Sequence, residues 1–171
     1  MTEVIETVIE SRQAPTRHVV TLQALHGAPG RVTGLLARLP GQAAVWQPAP
    51  ETWNAHMLVA HLAGSEGPFL KRLEHILAEA NPYLPYFGPD VARPDAPGTL
   101  DELLEQFLAG RQALVRRLVE LAPEDWERPA VHETMGPTTL ALQAQNMTKH
   151  DADHLAQLAA LALAWEQASH G

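Results

Sequence analysis

No cysteine occurs anywhere in the 171 residues of this chain. Disulfides, thiolate metal sites and a cysteine nucleophile are excluded by that one absence. Positive charge is scarce as well: 12 Lys and Arg stand against 20 Asp and Glu, for a formal net charge of -8. Such a balance repels phosphate backbones and acidic bilayers, and no basic stripe makes an exception, so neither nucleic acid nor a membrane is an expected partner. No segment approaches the ~20 consecutive apolar residues that a membrane span requires. The opening Met1-Thr2-Glu3-Val4-Ile5-Glu6 carries acids where a secretory signal would carry bases, which makes the cytoplasm the expected location. Stretches of alternating polarity bounded by hairpin turns are also missing, which argues against a β-rich fold.

What the chain has is apolar residues, at 46%, in a length suited to a single domain spanning 1–171. Four segments carry helical periodicity. The first runs from about Thr16 to Leu39, with a kink expected at Pro29. The second starts near Thr52, read as its N-cap, passes through Met57, Ala60, His61, Leu73 and Ile76, and bends at Gly67-Pro68. The third opens on Thr99-Leu100-Asp101-Glu102, the pattern of a capping box, and runs to Leu121. The fourth starts at Thr138 or Thr139 and reaches about Ala168. Residues 1–15 form an N-terminal extension, where Val4, Ile5, Val8 and Ile9 suit a short helix docked on the others. Between helices two and three, Pro82, Pro85, Pro89, Pro94 and Pro97 keep residues 81–98 extended. Such a linker reaches on the order of 59 Å at ~3.3 Å per residue, whereas a helix of about 28 residues is only ~42 Å long. It can return along the whole of helix two and make helices two and three parallel. The expected architecture is all-α, a four-helix bundle with one long Pro-rich crossover.

Nine histidines are the compositional oddity. His150 and His154 are four apart on the fourth helix, which puts their Cβ atoms roughly 5–6 Å apart on one face. They share a stripe with Met147, Leu158, Leu161 and Trp165 and so point inward. His61 points inward from the second helix beside Met57, Ala60 and Gly64. If the fold brings His61 opposite the pair, three neutral nitrogens would hold a divalent metal and leave positions open for water or substrate. The alternative is a pair of satisfied core histidines and an unrelated third. His56 lies ~140° around the helix from His61 and reads as a surface residue, His75 lies ~21 Å along the axis, and His132 lies in a loop before the last helix. Gln157 shares the face of the pair and is a candidate for orienting a ligand. Glu66 is a candidate base, although its position, off the face of His61, better suits an exposed glutamate. Asp151 and Asp153 flank the pair and are placed to accept a free imidazole N–H.

Two stretches carry a resemblance. Trp46-Gln47-Pro48-Ala49-Pro50-Glu51-Thr52-Trp53-Asn54, followed by His61-Leu62-Ala63-Gly64-Ser65-Glu66, resembles one signature of the DinB-like (YfiT-like) superfamily. Gly136-Pro137-Thr138-Thr139-Leu140, followed by His150-Asp151-Ala152-Asp153-His154-Leu155-Ala156-Gln157, resembles the other. The resemblance implies an up-down-down-up four-helix bundle and a metal site of His61, His150 and His154. It also implies a homodimer and an activity such as S-transfer or isomerisation with a low-molecular-weight thiol. The first expectation is therefore a metal-dependent transferase joining such a thiol to an electrophilic small molecule, with Lys149 or Arg111 available for the thiol's carboxylates. The alternatives are a metal-dependent hydrolase, with Glu66 or an aspartate as base, and a non-catalytic metal- or ligand-binding stress protein. Imidazole ligands suit zinc or nickel first, with iron or manganese as further possibilities.

Overall fold

The computed structural model of the chain describes residues 18–87 and 94–169. The N-terminal extension at 1–15, residues 88–93 of the expected crossover and His170 lie outside the described residues. Among the described residues four α-helices carry the fold: α1 (Val19–Leu36), α2 (Ala55–Ala78), α3 (Leu100–Val119) and α4 (Leu140–Ser169). Each presents an apolar stripe at three- and four-residue steps, such as Leu22, Leu25, Ala28, Val32 and Leu36 on α1.

The helix boundaries follow local chemistry. At the start of α3 the expected capping box is present. Thr99 Oγ1 accepts from the Glu102 N–H at 3.2 Å, and Glu102 Oε2 accepts from the Thr99 N–H at 2.8 Å. The cap of α2 is a correction to the sequence reading. Asn54, not Thr52, supplies it, with its Oδ1 accepting from the Met57 N–H at 2.9 Å. Thr52 instead donates to the Ala49 carbonyl at 2.7 Å and closes the preceding turn. Neither Pro29 nor Gly67-Pro68 ends its helix: α1 and α2 each run through unbroken. Pro29 has no N–H for the carbonyl of Leu25, four residues earlier. A side chain from α3 takes that place, as Arg111 Nη1 donates to Leu25 O at 3.3 Å.

Strands are also present, against expectation. β1 (Tyr83–Leu84), β2 (Pro129–His132) and β3 (Gly136–Thr139) form a sheet in the order β1-β2-β3. β1 pairs parallel to β2, with Tyr83 opposite Val131, and β2 pairs antiparallel to β3, with Ala130 opposite Thr138. Gly136 takes a φ of 72° at the hairpin turn, a left-handed conformation that costs glycine little. α4 therefore begins at Leu140, because Thr138 and Thr139 belong to β3.

Contacts between α2 and the α3 region advance along both sequences together. His56 Nε2 lies 2.8 Å from Gly98 O, Glu66 meets Arg111 at 2.7 Å, and Glu74 meets Arg117 at 2.7 Å. The two helices pack tightly at Gly110, where a Cβ would lie 2.6 Å from Glu66 Cβ and 2.8 Å from its Cγ. Gly110→Ala is accordingly expected to force the helices apart and lose about 1–3 kcal/mol of stability. Urea unfolding of the variant checks this, and an unchanged midpoint would refute it.

The core divides into two apolar halves. One gathers Leu22, Leu25, Leu73, Ile76, Leu114, Leu118, Trp126 and Met147, and the other Val32, Leu36, Leu58, Leu62, Leu103, Phe107, Leu158 and Leu161. Between them in sequence, α2, α3 and α4 contribute Glu66, Arg111 and Asp151 respectively. All three are buried, with no more than 3% of their surface exposed.

Candidate metal centre

α2 and α4 place the three histidines. His61 projects from the second turn of α2, and His150 and His154 project one turn apart from α4. Each offers one ring nitrogen, and the three nitrogens lie within 4.8 Å of one another. Nε2 of His61 and Nε2 of His150 are the close pair, 2.9 Å apart. The His154 ring meets those of His61 and His150 edge-on, with centroids 4.6 and 4.5 Å away. Trp53, just before α2, covers this cluster. Its indole lies parallel to His154 at 5.8 Å and tilted against His61 at 5.1 Å. Phe69 approaches His150 edge-on at 5.9 Å.

The electrostatics keep His154 neutral. Burial pushes the His154 imidazolium down to about 4. A hydrogen bond with Gln157 works in the opposite direction, and the adjacent His150 and His61 add to the lowering. At neutral pH His154 therefore carries an uncharged ring with a free lone pair. Two nitrogens bound to one zinc ion at ~2.0–2.1 Å each sit at most about 4.2 Å apart. The His61–His150 pair, at 2.9 Å, lies within that limit, and no separation in the set is greater than 4.8 Å. The donor set thus fits one divalent ion among the described residues.

Behind the histidines stands the buried charge layer. Arg111 gives Nε to Glu66 Oε1 at 3.1 Å and Nη2 to both Glu66 Oε1 at 2.7 Å and Asp151 Oδ1 at 2.9 Å. Its Nη1 donates to Asp151 Oδ2 and to the Leu25 carbonyl. Every guanidinium N–H is thereby used. Burial pushes the Glu66 carboxyl above its ordinary range, and Arg111 offsets only part of this. Burial acts on Asp151 in the same direction, but the imidazole of His150 together with Arg111 outweighs it and holds Asp151 below its ordinary range. Asp151 Oδ1 lies 3.7 Å from His150 Nδ1, too long for a hydrogen bond.

Several sequence expectations are corrected by this arrangement. Glu66 is buried and bound to Arg111, not exposed, so its carboxylate is committed to an ion pair and is not a free base. Arg111 is likewise unavailable to a ligand's carboxylates, being surrounded by protein on all sides. Lys149 pairs with Asp153 at 2.6 Å on the exposed face of α4. His56, expected at the surface, is half-buried and bonded to the Gly98 carbonyl. His132 sits in β2, buried, with its Nδ1 3.3 Å from Thr134 Oγ1. Gln157 lies where its face predicted, beside His154, with Oε1 2.9 Å from His154 Nδ1. Trp53, which a cap at Thr52 would place in the first turn of the second helix, lies before α2 instead. A groove of about 490 Å³ opens beside it, lined among others by Glu51, Thr52, Trp53, His154, Gln157 and Leu161.

The model of the DinB superfamily matches residues 24–158. The chain belongs to the DinB superfamily. Within it, the chain is 23% identical over 109 residues to a protein of Oceanobacillus iheyensis that bears the provisional name of a metal-dependent hydrolase. That match covers 63% of each chain, so it spans less than two thirds of the relative's length. A solved structure of YfiT from Bacillus subtilis superposes with a TM-score of 0.76 at 16% identity, covering 87% of both chains. That protein is described as a probable metal-dependent hydrolase with an unusual four-helix bundle topology. At this identity the likeness shows the fold: this DinB-superfamily chain is a four-helix bundle.

Proposed function

We propose that the protein binds one divalent metal ion through His61, His150 and His154 and uses it to hydrolyse a small electrophilic substrate. The observation that carries this reading is the convergence of three imidazole nitrogens within 4.8 Å, beside a groove of a size suited to a small molecule. A divalent ion held there would supply Lewis acidity, polarising a substrate oxygen and lowering the pKa of a bound water or thiol. The residues around it orient and exclude. Trp53 walls off one side of the cluster and offers a flat apolar face to a substrate. Gln157 and Glu51 add polar groups to the groove, and Phe69 closes off His150 from the other side.

Hydrolysis is preferred because it needs only water as cosubstrate, and because the names of the two relatives point the same way. Transfer to a low-molecular-weight thiol is the second reading. It draws on the size of the groove, which has room for two reactants, but Arg111, the buried candidate anchor for such a thiol, is already occupied. The proposal extends to topology and assembly. We read the helices as up-down-down-up, with residues 81–98 as the crossover, and the paired contacts of α2 with α3 support parallel packing of those two. The protein is proposed to work as a homodimer, with zinc or nickel as the first ions to test.

Elemental analysis of protein purified without a chelating tag is expected to find about one equivalent of divalent metal. Ester and amide substrates assayed with and without added thiols then separate the readings. Turnover that is independent of thiol supports hydrolysis, and turnover that requires a thiol replaces it with transfer. Absence of stoichiometric metal, in protein that also takes up none when it is added, would overturn the proposal.

A further inference from the structure

We propose that Gln157 is a positioning residue: its side-chain carbonyl holds His154 as the Nδ1–H tautomer and so turns the lone pair of Nε2 toward His61 and His150. This inference rests on the reading of the triad as a metal site, which it deepens. A neutral imidazole has one protonated nitrogen and one bare nitrogen, and only the bare one can bind a metal. Gln157 Oε1 lies 2.9 Å from His154 Nδ1. An amide oxygen has no proton to give, so the proton of this hydrogen bond sits on Nδ1 and Nε2 is left bare.

The placement follows from helix geometry. Residues three apart share one face of α4, so Gln157 reaches His154 without any tertiary adjustment. Trp53 lies parallel to the His154 ring, 5° from coplanar stacking, and fixes the plane of the imidazole. A flat neighbour cannot choose between the two faces of a ring flip. Rotation by 180° about χ2 would exchange Nδ1 with Cδ2 and Nε2 with Cε1 while keeping the stacking. The Gln157 bond removes that choice, because the flip would place a carbon against Oε1. His150 has no such device: its Nδ1 makes no hydrogen bond. Gln157 is itself exposed and lines the groove, so substitutions there leave the core untouched.

The test uses the full-length protein, labelled with nitrogen-15 and stripped of metal. Long-range proton–nitrogen correlation spectra distinguish a protonated ring nitrogen from a bare one, and the His154 signals are identified by their loss in His154→Phe. The wild type is expected to show His154 protonated on Nδ1. Gln157→Leu is expected to populate the Nε2–H form and to weaken zinc binding by about 10–100-fold, the usual cost of losing a partner behind a ligand. Gln157→Glu, which keeps an acceptor at the same place, is expected to keep both the tautomer and the affinity. The inference is overturned if wild-type His154 carries its proton on Nε2, or if Gln157→Leu leaves the tautomer unchanged. Because the tautomer is read without metal, it is independent of the functional reading. A tautomer that shifts as expected in a protein that never takes zinc would support the role of Gln157 and sink the metal-enzyme proposal instead.

Discussion

Replacing Arg111 with leucine is expected to lower stability by about 3–5 kcal/mol, enough to unfold much of the protein at mild temperature. The size of the effect comes from what stays behind. Glu66 and Asp151 would be left facing one another in the middle of the bundle, each without the guanidinium that now satisfies it, and the Leu25 carbonyl above Pro29 would lose its donor. The loss should depend on pH with a definite sign. In the wild type the two carboxyls oppose each other. Glu66, raised by burial, contributes stability at low pH that is lost as pH rises through its folded pKa. Asp151, held low, contributes stability above its unfolded pKa that is lost on acidification. Without Arg111, burial and mutual repulsion push both carboxyls upward. Both then favour the fold only when protonated, so the gap between variant and wild type should widen from pH 5 to pH 8. Denaturant unfolding at the two pH values measures this. A triple variant with Glu66→Leu, Arg111→Met and Asp151→Leu should recover most of the loss, because it removes the uncompensated charges along with their partner. A loss that is constant with pH would mean the layer acts through packing volume alone.

That charge layer also marks the limit of what the sequence made legible. The Thr99–Glu102 capping box was readable because both bonds close within four residues. The His150–His154 pair was readable because one helix fixes their spacing. The bundle itself followed from four apolar periodicities. Glu66 was misread for a reason outside its own helix. Its inward turn depends on Gly110, whose missing side chain lets α3 approach closely enough to enclose the carboxylate, and no periodicity on α2 records that. Arg111 shares the face of α3 that carries Phe107 and Leu114 and was open to being recognised as buried, but its partners lie 45 and 40 residues away. The kink expected at Pro29 came from a local rule applied to a carbonyl that a distant arginine satisfies. The strands escaped notice because two and four residues are too short to show alternation, and Pro129 and Pro137 argue against strand on local grounds. Asn54 is the better cap by residue type, and the turn at Ala49, which engages Thr52, leaves the role to it.

Removing any one histidine of the triad is expected to weaken metal binding by more than about 100-fold, since loss of a mere supporting partner behind a ligand already costs 10–100-fold. His61→Ala and His154→Ala are the informative variants, one from each helix, because a site built on the α4 pair alone would lose affinity with the second and not the first. Trp53 provides the reporter. Its ring lies 5.1 Å from His61 and 5.8 Å from His154, so cobalt or copper bound at the triad should quench its emission, and Trp53→Phe should abolish that quenching while leaving the affinity close to wild type. His75→Ala is the control, since His75 is paired with Glu79 at 3.2 Å and stands ~21 Å along the axis from His61. Its binding curve should overlay that of the wild type. Stability gives a second, independent readout. A ligand that binds only the folded state stabilises it by about 2.7 kcal/mol at 100 times its dissociation constant, so zinc should raise the wild-type melting temperature and leave that of His61→Ala and His154→Ala in place. The three histidines are only half-buried, so the metal-free variants should melt close to the metal-free wild type. That separates a lost ligand from a damaged fold. Undiminished affinity in His61→Ala would confine any metal to α4, and the joining of α2 to α4 at the triad would then be a matter of packing rather than coordination.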